Sequence, residues 1–125
     1  MSGRMEGEDF TVEEVVMTLG LARLPGGGWG RVMEPTEPTA AGGLVSAYRL
    51  LTAEETDDWR AAEAEELWTA YMGAGLEVEL ATEVGVRRER VEAGSGVWIT
   101  APQGGWLRTR ALGAWCLAGW VGPAD

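Results

Sequence analysis

The sequence predicts an all-β domain of many short strands, opened by one short helix. Three observations carry that expectation. Leu76, Val78 and Leu80 alternate with Glu77 and Glu79, the period-two signature of a half-buried strand. Leu44 to Leu51, Gly96 to Thr100 and Ala114 to Val121 are short, rich in aromatic and β-branched residues, and bounded by Gly or Pro. Glycine-rich turns separate these segments, a pattern of sandwiches and barrels.

The elements follow in order. Residues 1–10 are polar and acidic and read as a flexible start to a single domain over 11–125. Thr11-Val-Glu-Glu14 has capping-box spacing, in which Thr accepts a backbone N–H and Glu14 reaches back. Val12, Val15, Val16 and Leu19 then form one helical stripe, and Gly20 is a natural stop. Pro25-Gly-Gly-Gly-Trp29 breaks the chain; with no Gly-Lys-Ser/Thr after it, it is a turn and not a phosphate cradle. Glu34 to Gly43 reads as an exposed loop between two strands. Thr52-Ala-Glu-Glu55 resembles a second capping box, and Ala61 to Met72 is rich in helix formers, with Leu67, Trp68, Tyr71 and Met72 at helical spacing. Local propensity there favours helix, but it is a weak prior.

Composition removes several chemistries. The chain has no histidine, lysine or asparagine, so its 10 basic residues are all arginine. A net charge of −10 argues against nucleic-acid backbones and anionic membranes as partners. No segment supplies the roughly 20 apolar residues of a membrane span, and the N-terminus lacks a signal peptide's apolar stretch. A single cysteine, Cys116, fits a cytoplasmic setting. Without histidine, neither Cys116 nor Ser46 or Ser95 has the base that a nucleophilic hydrolase needs.

Ordered short motifs from about Val12 to Pro123 resemble the cupin superfamily, and within it the single-domain cupin_5 type. They are Leu19-Gly20-Leu21 before Pro25 to Trp29, Tyr48-Arg49-Leu50-Leu51-Thr52, Trp59-Arg60-Ala61, Glu65-Glu66-Leu67-Trp68-Thr69 with Gly73, Pro102 to Trp106, and Trp115 to Gly119. The resemblance implies a double-stranded β-helix, the jelly-roll barrel of two antiparallel sheets, and makes Trp59 to Met72 largely strand. It also locates departures. Arg60 and Thr69 stand where the family has histidines, Glu66 keeps its type, and the family's Pro-Gly-Phe-Asp-Phe tail is absent. A carboxylate beside a guanidinium is a poor metal site, so no metal and no cofactor are expected.

The resemblance puts Glu66 and Arg60 inside the barrel, as a proton-moving pair or as a structural ion pair. Tyr48 and Tyr71 are candidate proton donors. Trp68 shares strand parity with Glu66, and Trp106 shares it with Arg108 and Arg110; these indoles and arginines either wall a ligand pocket or fill the core. Two functions remain open. One is a metal-free barrel that binds a small organic molecule and isomerises, epimerises or cyclises it; the other is a non-catalytic ligand-binding or protein-interaction module.

Seven tryptophans exceed what one small barrel interior holds, which leaves an apolar face for a two-fold partner. A homodimer is therefore expected, since repulsion is screened beyond about 8 Å at physiological salt. Light scattering at micromolar protein and near-physiological salt should give twice the chain mass; the monomer mass there refutes the pairing.

Overall fold

A computed structural model describes residues 10–24, 28–33, 44–53 and 59–123. The expected flexible start up to Asp9, the loop Glu34 to Gly43, most of the Pro25 turn, the second capping box beyond Ala53 and the last two residues lie outside the described residues. The helix forms as expected. In α1 (Val12–Leu19), Thr11 and Glu14 exchange both capping-box hydrogen bonds, at 3.1 and 2.8 Å, and Gly20 closes the helix with a left-handed φ of 66°.

The chain then runs through ten strands: β1 (Ala22–Arg23), β2 (Trp29–Met33), β3 (Leu44–Thr52), β4 (Arg60–Ala61), β5 (Glu66–Gly73), β6 (Leu76–Thr82), β7 (Gly85–Val91), β8 (Ile99–Ala101), β9 (Trp106–Ala111) and β10 (Trp115–Pro123). They make two antiparallel sheets, ordered β1-β2-β3-β10-β5-β8 and β4-β9-β6-β7. The stretch with strong helix propensity is strand in β4 and β5. Tertiary burial outweighs propensity there, because β5 places Trp68 and Ala70 in the core between β10 and β8.

The two sheets face each other across a core of Leu51, Trp68, Leu76, Val78, Leu80, Ile99, Leu107 and Cys116, all almost fully buried. A second cluster lies on the outer face of the larger sheet. There α1 lays Val15 on Leu50, Trp115 and Leu117. Burial drives the Cys116 thiol up to about 12, so it is a packing residue that stays protonated. Among the described residues no helix is long and apolar enough to cross a membrane.

Strands β7 and β9 were absent from the expected strand set. Their sequences, GVRRERV and WLRTRA, carry arginines where a half-buried strand would carry neutral polar residues. Both pair with β6, residue for residue, from Leu76 onward. That register determines the outer face described below.

The β5–β6 turn depends on Gly73. Its φ is 86°, and a Cβ there would sit 2.6 Å from the Trp115 carbonyl oxygen. Gly73→Ala should cost about 1–3 kcal/mol from the strained conformation alone, more with the clash. Gly96 has a similar φ but open space around it, so Gly96→Ala should cost less. Equal urea midpoints for the two variants would show that the contact with Trp115 carries no weight.

Candidate functional site

Glu66 opens β5 and points between the sheets at 4% exposure. Arg60, six residues earlier on β4, meets it fork to fork at 2.7 and 2.6 Å. Trp120 on β10 faces Trp68 on β5 across the ladder, and both indoles donate to the same carboxylate oxygen, at 2.8 and 3.2 Å. The Arg49 guanidinium lies 5.8 Å from the Trp68 ring centre, adding a cation–π contact.

Oε1 accepts three of these four hydrogen bonds and Oε2 accepts one, from Arg60, so both oxygens are engaged. Burial is the largest single influence on Glu66 and acts to raise its pKa. Arg60, Trp120 and Trp68 together outweigh it, so the carboxyl titrates below its ordinary value.

A second charged cluster lies on the opposite, outward face of the smaller sheet. β6 sends Leu76, Val78 and Leu80 into the core, so Glu77 and Glu79 face outward, yet they are 1% and 4% exposed. Arginines cover them. Arg90 on β7 and Arg110 on β9 flank Glu77 through Nε at 2.9 and 2.7 Å. One rung further, Arg88 and Arg108 flank Glu79 at 2.7 and 2.6 Å.

Each glutamate is thus clamped from both neighbouring strands. The Arg110 hydrogen bond is the main influence holding Glu77 below its ordinary pKa, and the Arg108 hydrogen bond does so for Glu79; burial opposes both. Trp59 stacks under Arg108 at 4.6 Å, and Trp106 stands 54% exposed on the next rung, opposite Ala81. The six charged residues line an open depression of about 460 Å³.

The expected site residues therefore separate into three places. Glu66 and Trp68 meet between the sheets, and the half-exposed Arg60 closes over Glu66 from β4. Trp106 and Arg108 belong to the outer face of the smaller sheet and do not join them, because strand parity groups residues on one strand without saying which face is inside. Tyr48 and Tyr71 lie on the outer face of the larger sheet, ring centres 6.0 Å apart. A bulge opposite Leu117 and Ala118 makes Tyr71 the extra residue of β5, and its ring covers Gly119. Burial, then Tyr48, pushes the Tyr71 phenol above its usual pKa. Thr69, aligned with a family histidine, also faces away from Glu66 and donates to the Val97 carbonyl at 2.6 Å.

Sequence reasoning missed Trp120, Glu77, Glu79, Arg88 and Arg90 as site residues. A signal for the last four was present: Glu77/Glu79 and Arg88/Arg90 share the spacing i, i+2 with Arg108/Arg110. Trp120 had no such signal, since its partners lie on another strand.

Two antiparallel sheets in this order, with a carboxylate lying between them, define a cupin barrel. The chain belongs to the Cupin_5 family of the cupin superfamily (DUF985), whose profile matches residues 13–123. Comparison with curated proteins finds no match. Among solved structures, a protein from Shewanella oneidensis is similar at 19% identity and a TM-score of 0.79, covering 93% of this chain and 80% of that one. Oxalate decarboxylase is similar at 18% and 0.65, covering 97% of this chain and 29% of that one. CENP-C of Drosophila melanogaster, bound to CAL1, is similar at 11% and 0.62, covering 83% and 78%.

Metal-binding cupins hold their ion with inward histidines and glutamate, and the residues here do not fit that role. The described residues contain no cluster of three His, Cys, Asp or Glu side chains. The one inward carboxylate among the described residues already has a guanidinium as its cation.

These pKa directions have a consequence for stability. Unfolded glutamates titrate near ~4.3, above the folded values of Glu66, Glu77 and Glu79. In the window below the unfolded value the unfolded chain binds more protons, so stability falls as pH falls, and the contribution is complete above it. Urea midpoints should drop below about pH 4.5, and the drop should be shallower in an E77Q/E79Q variant. Parallel pH profiles for the two proteins would rule out the paired carboxylates as its source.

Proposed function

We propose that this protein is a binding cupin and not a catalytic one, with its barrel interior closed by a structural ion pair. The observation that carries the reading is the engagement of both Glu66 oxygens, by the Arg60 fork and by the indoles of Trp68 and Trp120. A general acid or base works best with a pKa near the operating pH and needs a free edge toward substrate. Glu66 meets neither condition: its pKa is displaced downward, and the Arg60 fork covers both of its oxygens.

The phenols that could have shared the proton transfer lie across the larger sheet from it. The space a substrate would need is filled by Trp68 at 1% exposure and by the aliphatic core. Neighbours on this fold include an oxalate decarboxylase and a CENP-C bound to CAL1, so the fold admits both enzymes and binding proteins and the site must decide.

Two measurements check this. Carbon-13 titration of the Glu66 carboxyl should place its midpoint below the ordinary glutamate value; titration near neutral pH would restore it as a proton mover and overturn the reading. Arg60→Leu should cost about 1–3 kcal/mol, below the cost of breaking a fully buried pair because Arg60 is itself 42% exposed and two indole donors remain. Arg60→Leu with Glu66→Leu should recover most of that loss, because both charges leave together.

A further inference from the structure

We propose that the outer face of the four-stranded sheet binds a small oligophosphate, a molecule with at least two linked phosphate groups. The inference deepens the binding role proposed above by giving it a place and a ligand class. It stands on residues separate from Glu66, so the two readings fail separately.

The face is built from β7, β6 and β9, side by side. Adjacent strands are ~4.8 Å apart and alternate residues ~7 Å apart, so four arginine Cα atoms mark the corners of a rectangle of roughly 7 by 10 Å. Paired Nε atoms converge on one carboxylate in each rung, which draws the guanidiniums inward over the depression. Each guanidinium uses Nε on its glutamate, and its terminal nitrogens make no hydrogen bond among the described residues.

Those terminal nitrogens are the edge that grips phosphate oxygens in pairs. Four guanidiniums face two carboxylates, leaving two positive charges in excess. The glutamates act as an anchor: buried and ionised, they hold long side chains in one geometry before a ligand arrives, lowering the ordering cost of binding.

Charge and size narrow the ligand. The whole chain carries −10, so the positive face is an island and a long polyanion would meet repulsion around it. A compact oligophosphate fits the island and the depression of about 460 Å³. A single monovalent anion would engage one rung and leave the other unused.

Calorimetry with pyrophosphate at low ionic strength tests this on the full chain. Binding should be sub-millimolar, should exceed that of inorganic phosphate, and should weaken as salt rises. Arg88→Gln with Arg108→Gln should lower affinity at least tenfold. Arg87→Gln, which pairs with Glu89 away from the depression, should leave it unchanged. Glu79→Gln puts an amide NH2 against one of the two arginines, which donate to different carboxylate oxygens, so affinity should fall with an unchanged circular dichroism spectrum although a negative charge is removed, the opposite of what diffuse charge attraction gives. Absence of binding at millimolar pyrophosphate overturns the site. So does an equal loss from Arg87→Gln, which would reveal diffuse charge attraction.

Discussion

Every buried glutamate among the described residues is held by arginine. Glu66 in the core, and Glu77 and Glu79 on the outer face, would each be prohibitively costly to bury alone. With no lysine or histidine in the chain, the guanidinium fork is the cationic side chain at hand. The register of the smaller sheet follows from this constraint. Shifting β7 or β9 by one residue against β6 would turn the arginines into the core and leave two buried carboxylates uncovered.

In the proposed reading, the same pairing takes the place that a bound metal has in metal-using barrels of the superfamily. An ion pair inside a barrel does what a ligated cation does for packing: it neutralises an inward carboxylate and joins strands that are distant in sequence. It does not leave an open coordination position or a carboxylate with a neutral pKa. In the proposed reading the interior serves stability, and recognition falls to the polar groups on the outside of the smaller sheet. Trp106, expected in a pocket, stands exposed beside those groups.

The larger sheet divides its labour differently. Its inner face shares the barrel core, and one end of its outer face is covered by α1 through Val15, Leu50 and Leu117. Tyr48, Tyr71 and Trp98 continue that outer face as a chain of edge-to-face rings. The bulge at Tyr71 lays its ring over Gly119, where any side chain would collide with it. Two residues expected as proton donors thus lie together on the outer face of the larger sheet, away from Glu66.

Some of this was determined by the sequence alone. The capping box at Thr11 and the stripe from Val12 to Leu19 are local, and local hydrogen bonds suffice to place the helix. Alternation in Leu76 to Leu80 is equally local, and it identified β6 and its two faces. The absence of histidine excluded whole reaction classes before any coordinates, and ordered short motifs identified the family. The tertiary structure decided what local reading could not. Ala61 to Met72 carries helix propensity, yet burial of Trp68 between β8 and β10 makes it strand. β7 and β9 look too charged to be strands until β6 supplies the carboxylates opposite their arginines. Which face of a strand is inside depends on the partner sheet, so Glu66, Trp106 and Tyr71 could be named as site candidates from sequence but not assigned to one place. Contacts between residues far apart in the chain carry that information, and a single strand's pattern does not.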